Sequence, residues 1–184
     1  MNSYSIQEGF GGSKAEPEVE VQLRLSIGIA PDEIDEILEM SSTCQNLSQE
    51  KLSMLEQTVW EEAYNSGPPL CTFIKAHAVD GANQKLVGFA VYNEIAAEES
   101  CYELFLIAVH EDYRSIGIGA ALIDEVERHI SVEEGSTVFC ELPEDQDYES
   151  AAIFLNFLGY TRQTRHYKFF IPEPGNTVYA KRII

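Results

Sequence analysis

The residues best equipped for chemistry lie in the run ELFLIAVHEDYRSIGIGAALIDEVERHI, from Glu103 to Ile130. Within it, Arg114-Ser-Ile-Gly-Ile-Gly119 sets two glycines one residue apart at the mouth of a segment whose apolar residues recur at helical spacing: Leu122, Val126 and Ile130, flanked by Ile123. A glycine-rich mouth on a helix is an anion site. Without Cβ atoms the backbone can approach a ligand closely, its N–H groups can point at phosphate oxygens, and the helix N-terminus adds partial positive charge. The second candidate is Glu103, the only acid in CYELFLIAV. Partial burial beside Tyr102 and Phe105 would lift its carboxyl towards the working range of a general base. The plainer reading of Glu103 is a strand-end glutamate on an exposed edge.

Spacing excludes two familiar phosphate loops. In a dinucleotide-binding turn the first glycine follows its strand almost at once and the pattern continues G-x-G-x-x-G/A. Here seven residues separate Val109 from Gly117, and Leu122 stands at the third position. A nucleoside-triphosphate loop needs Gly-Lys-Ser/Thr, and Ile118-Gly119-Ala120 supplies neither the lysine nor the hydroxyl. What remains is R-x-x-G-x-G, after a strand E-L-x-x-x-x-V and before a helix. It resembles the acetyl-coenzyme A loop of the GNAT N-acetyltransferase superfamily, written Q/R-x-x-G-x-G/A. A second stretch is similar to that family's A-x-x-(F/L)-Y-x-x-x-G-(F/Y): Ala151, Phe154, Gly159 and Tyr160 are in place, but Leu155 occupies the tyrosine position.

The resemblance, which spans roughly residues 19 to 171, implies one mixed α/β domain, with a central mixed and mostly antiparallel sheet flanked by helices on both faces. It implies transfer of an acetyl group from acetyl-CoA to an amine. The backbone of Ile107, Ala108 and Val109 would pair with the pantetheine arm like an added strand. Arg114, Ser115, Ile116, Gly117, Ile118, Gly119 and Ala120 would wrap the pyrophosphate. Glu103, eleven residues before Arg114, stands at the family's offset for a catalytic glutamate. An ammonium must lose a proton before it can attack, which is the task of such a base. In the family the missing tyrosine protonates the leaving thiolate, and leucine cannot. Either the thiolate leaves without that acid, or Tyr148 supplies the proton, or the chain is a noncatalytic acyl-CoA sensor. The acceptor is a small cationic amine, a protein lysine or a protein N-terminus, since the segment Ser41 to Leu47 and the last strands lack a diagnostic motif.

The elements that must position these residues follow from periodicity and breakers. VEVQLRLSI alternates, with Val19, Val21, Leu23, Leu25 and Ile27 on one face, as a half-buried strand does. Pro31-Asp-Glu opens a helix with Ile34, Ile37 and Leu38 as its stripe, and Ser48-Gln-Glu-Lys opens a second carrying Leu52, Leu55, Val59 and Trp60 until Gly67-Pro68-Pro69. CTFIKAHAV and KLVGFAVY form an antiparallel hairpin around Asp80-Gly81. The strand from Tyr102 and the helix after the glycine loop come next, and Gly135 closes that helix. STVFCEL is a further strand, and a helix from Tyr148 to Leu158 is closed by a left-handed Gly159. One or two strands fill Tyr160 to Ile171, and the tail PEPGNTVYAKRII has no assigned element.

Composition bounds the partners. With 184 residues the chain holds one domain, residues 18–184, behind an N-terminal segment, 1–17, expected to be disordered or loosely docked. Twelve Lys and Arg against 31 Asp and Glu give a net charge of −19, which argues against nucleic acid. An anionic cofactor remains compatible, because backbone dipoles and a local cation such as Arg114 can hold it. The acidic surface would draw in cationic amines or serve solubility alone. No run is long enough to span a membrane, the first residues lack the apolar core of a signal peptide, and the chain is expected to be cytoplasmic. Cys44, Cys71, Cys101 and Cys140 are expected to be reduced and mostly buried, His77, His110, His129 and His166 match no metal spacing, and a homodimer is compatible with everything above.

Overall fold

The computed structural model describes residues 3–6, 21–44, 47–96, 98–164, 167 and 169–183. They form a mixed α/β fold with eight strands, mostly antiparallel, and four α-helices. The chain divides into two compact units, Met1–Ala90 with Ile107–Glu125, and Val91–Leu106 with Val126–Ile184.

The first unit carries Ser3–Ile6 (β1), Val21–Ile27 (β2), Ile34–Ser42 (α1), Gln49–Ala63 (α2), Thr72–Asp80 (β3) and the greater part of Asn83–Glu94 (β4), in the strand order β1-β2-β3-β4. The alternation of β2 buries Leu23 and Leu25 opposite Ala78 and Ala76 of β3, whereas Ile27, where the strand runs out at Gly28, is 46% exposed. Pro31–Glu33 makes a 3-10 turn ahead of α1, and the Glu33 carboxylate accepts the Ala30 N–H at 2.7 Å. The same carboxylate neutralises the buried Lys75 ammonium of β3, tying that turn to the sheet. Ser48 caps α2 by accepting the Lys51 N–H, as its position predicts. Leu55 and Val59 are buried, but Trp60 is 46% exposed and stacks on Tyr64 instead of joining the stripe. The β3–β4 hairpin turns at Gly81, whose φ of 59° suits a residue without Cβ.

Within the segment 1–17, Ser3–Ile6 pairs antiparallel with β2, Ser3 opposite Arg24 and Ile6 opposite Val21. An unpaired strand edge offers hydrogen-bonding groups, and SYSI contains no Gly or Pro to refuse them. The Gly- and Pro-bearing residues behind the expectation of disorder in that segment, as well as Val19, lie outside the described residues.

Cys101–Val109 (β5) and Ile118–Val132 (α3) each begin in one unit and end in the other. The second unit adds Thr137–Pro143 (β6), Glu149–Phe157 (α4), Thr161–Arg162 (β7) and Asn176–Arg182 (β8), ordered β5-β6-β8-β7. The tail left without an element contains β8. It lies antiparallel to β6 over seven pairs, from Thr137 opposite Arg182 to Pro143 opposite Asn176, and β7 pairs with its other edge. Of the one or two strands expected in Tyr160 to Ile171, β7 is the one found among the described residues. Phe170 instead joins Ile95, Cys101, Phe139, Val178 and Ala180 in a core cluster against which Tyr167 and Phe169 pack. After α3 the left-handed residue is Glu134, at φ 62°, and Gly135 serves close packing. Gly159 is left-handed as expected, at φ 89°.

Candidate active site

The glycine loop is built in the first unit. β5 ends at Val109, and His110 opens a 3-10 turn, Glu111–Tyr113, by accepting the Asp112 N–H on Nδ1. Arg114 is extended, Ser115 is left-handed at φ 64°, and Gly117 is left-handed at φ 96°. Helix α3 starts one residue later, with Gly119 and Ala120 inside its first turn. Two left-handed residues in quick succession turn the chain sharply ahead of N–H groups for which the helix has no acceptor. Of the two glycines only Gly117 uses a conformation that disfavours residues with a Cβ. Arg114 folds back, its Nε donating to the Val109 carbonyl at 3.3 Å, and the Cys44 thiol donates to the same oxygen at 3.6 Å. Burial pushes the Cys44 thiol up, against the pull of the Arg114 guanidinium. A second cation stands by: Lys85 Nζ lies 3.3 Å from His110 Nε2 and over the Tyr113 ring.

The acid candidates belong to the second unit. β5 and β6 run parallel, and their ladder pairs Cys101, Tyr102 and Glu103 with Thr137, Val138 and Phe139. Glu103 therefore stands on the last rung, where β5 leaves its partner. Its half-buried carboxyl is held above the usual carboxylate range by burial first, then by the negative charges of Glu141 and Glu173. The neighbouring Cys140 thiol is pushed up to about 12 by burial, with Glu103 and Glu141 adding to it. Tyr148 ends a 3-10 turn and precedes α4, lining a cleft of about 530 Å³ with Glu144, Asp145, Glu149, Arg162 and Tyr179. Leu155 is 5% exposed and its carbonyl accepts the Tyr160 N–H, so its apolar side chain is part of the core. All four cysteines are free and buried. Among the described residues no helix is long and apolar enough to cross a membrane.

The sequence profile described as the acetyltransferase (GNAT) family matches residues 34–160, more than half of the chain. The chain belongs to the acetyltransferase (GNAT) family. Solved structures agree in fold. A GNAT-family protein from Desulfovibrio desulfuricans superposes with a TM-score of 0.77 at 19% identity, over 88% of this chain and 99% of that one. The PaiA N-acetyltransferase from Thermoplasma acidophilum, solved with coenzyme A, gives 0.63 at 14% identity over 86% and 99%. The ribosomal-protein-S18-alanine N-acetyltransferase from Escherichia coli gives 0.63 at 15% identity over 88% and 94%. No curated protein matches the chain in sequence.

Several residues around these GNAT elements escape a reading by motif. Lys85 and Cys44 reach the loop region from β4 and from the end of α1, and Glu141 and Glu173 bear on Glu103 from β6 and from the turn before β8. None sits at a fixed offset from the glycines. The usable signals were faint: Glu141 repeats the pattern of one acid in an apolar strand, and Lys85 opens an apolar run.

Proposed function

We propose that this GNAT-family chain moves an acetyl group from acetyl-CoA directly to an amine, either a small cationic amine or a protein amino group. The observation that carries the reading is the backbone of the loop: left-handed Ser115 and Gly117 at the N-terminus of the fifteen-residue α3, with Arg114 and Lys85 as cations beside it. That arrangement suits a pyrophosphate, which needs convergent N–H groups and positive charge and no bulky side chain. Arg114 to Ala120 would hold the pyrophosphate, and Ile107 to Val109, at the end of β5, would offer strand edge to the pantetheine arm. A relative solved with coenzyme A supports the choice of cofactor.

Acetyl-CoA, when bound, supplies the activated acetyl group. The chain's part is to orient the reactants, worth on the order of 7–11 kcal/mol, and to manage protons. Glu103 takes the proton that an ammonium must lose, directly or through water, and a carboxyl held above its usual range is better matched to that task. Tyr148 supplies the proton for the departing thiolate, in place of the hydroxyl that Leu155 lacks.

A second reading, a noncatalytic acyl-CoA sensor on the same fold, is favoured by one observation: Leu155 is packed into the core where the family pattern carries a tyrosine. A thermal-shift titration with acetyl-CoA, followed by thiol release against polyamines, amino sugars, amino acids and peptides, separates the two. The transferase reading expects a shift and turnover with one acceptor class. A shift without turnover across the panel selects the sensor, and no shift overturns both.

A further inference from the structure

Glu141 gathers the polar contacts of the turn into β8, on the face of the sheet that carries Glu103. Glu103 pairs with Phe139 across the parallel ladder, so the two side chains leave the sheet on the same side, and Glu141, two residues further along β6, leaves on that side as well. One Glu141 oxygen, Oε2, accepts the Glu173 N–H at 3.0 Å and an Asn176 side-chain N–H at 3.2 Å. Those two residues bound the turn into β8. The turn is closed by the Asn176 N–H donating to the Glu173 carbonyl at 3.0 Å, uses a left-handed Gly175 at φ 87°, and is fastened to the end of β6 by the Glu144 N–H donating to the Gly175 carbonyl at 2.9 Å.

We propose that Glu141 is the positioning residue for Glu103: it fixes the Glu173–Asn176 turn and thereby holds its own carboxylate, and the Glu173 residue bound to it, on the side of the sheet that carries the base. The proposal rests on the reading of Glu103 as general base. The titratable groups that bear on Glu103 are Glu141 and Cys140 from β6 and Glu173 from the turn, and at neutral pH the two carboxylates supply the charge. With both nearby, Glu103 holds its proton to higher pH and is a stronger base once ionised. Bonds to Glu141 Oε2 fix where its own carboxylate and the Glu173 backbone sit, so the residue acts through Glu103 without touching substrate.

Carbon-13 NMR titration of the Glu103 carboxyl in the full chain tests this without any acceptor or coenzyme. In both Glu141→Gln and Glu173→Gln the midpoint should fall by about 0.5 pH or more, as expected for removing a nearby like charge. Amide exchange at Glu173 supplies the second readout: about tenfold faster or more in Glu141→Ala, and still protected in Glu141→Gln, whose side-chain oxygen continues to accept. An unmoved Glu103 midpoint in both charge-removing variants overturns the proposal, as does unchanged Glu173 exchange in Glu141→Ala. Failure of the base reading itself shows separately, as full turnover by Glu103→Gln while these shifts persist.

Discussion

At the scale of single residues, Glu103 carries opposite consequences for stability and for turnover. Its folded carboxyl lies above the ordinary value of 4.5 through burial and through Glu141 and Glu173. A group raised in the folded state contributes stability that is fully present below the unfolded value and is lost as pH rises through the folded one. At pH 7 ionised Glu103 therefore works against the fold. Glu103→Gln should raise the melting temperature at pH 7, and the gain should vanish near pH 4. Turnover should move the other way: wild-type kcat/KM falls as pH drops through the raised carboxyl value, and Glu103→Gln loses that limb together with about 10²–10⁴ in rate. Melting curves at the two pH values and a pH–rate profile read both effects. Equal melting temperatures at pH 7 would contradict the electrostatic account, and a profile overlaying wild type would remove Glu103 from the mechanism.

Among the elements, what the sequence made legible was local, and what it hid was long-range. The loop and α3 could be read because Arg114, Gly117, Gly119 and the Leu122–Val126–Ile130 stripe lie within a few turns of one another, and their chemistry depends on backbone conformation. The place of β8 between β6 and β7 is a pairing choice among distant segments, settled by the seven-pair ladder with β6, which no local pattern in NTVYAKR encodes. The convergence of Glu141 and Glu173 on Glu103 needs that same ladder and was hidden with it. Gly135 closes the helix as expected, its N–H donating to the Ile130 carbonyl, and packing adds a reason for glycine there. Glu134 takes the left-handed turn, while a Cβ on Gly135 would clash with Ile130 Cγ2 and meet Tyr102 Cε2 at 2.6 Å and the Ile130 carbonyl at 2.9 Å. Gly135→Ala should therefore destabilise by about 1–3 kcal/mol through overpacking of the α3 end against Tyr102. Urea unfolding measures this, and a variant as stable as wild type would mean that the approach of Ile130 and Tyr102 is not tight.

For the whole molecule, the excess of acids sets a condition that no single contact reveals. A net charge of −19 on 184 residues places many like charges within a Debye length of one another at low salt, about 30 Å at 0.01 M and about 10 Å at 0.1 M. The folded chain concentrates that charge and the unfolded chain spreads it, so self-repulsion opposes folding. The clustering of Glu141 and Glu173 around Glu103 is the same imbalance on a local scale. Screening should relieve it. Raising NaCl from about 10 to about 200 mM at pH 7 should stabilise the fold by about 1 kcal/mol, read as a rise of about 2–4 °C in melting temperature for a chain of this length. KCl should give the same increment, because screening does not distinguish the two cations. Near the isoelectric pH of about 4.4 about half of the carboxylates are protonated and the rest are balanced by cations, so the response should disappear. A melting temperature indifferent to salt at pH 7, or one that responds equally at pH 7 and 4.4, would show that the acidic surface is spaced widely enough to leave the fold untouched.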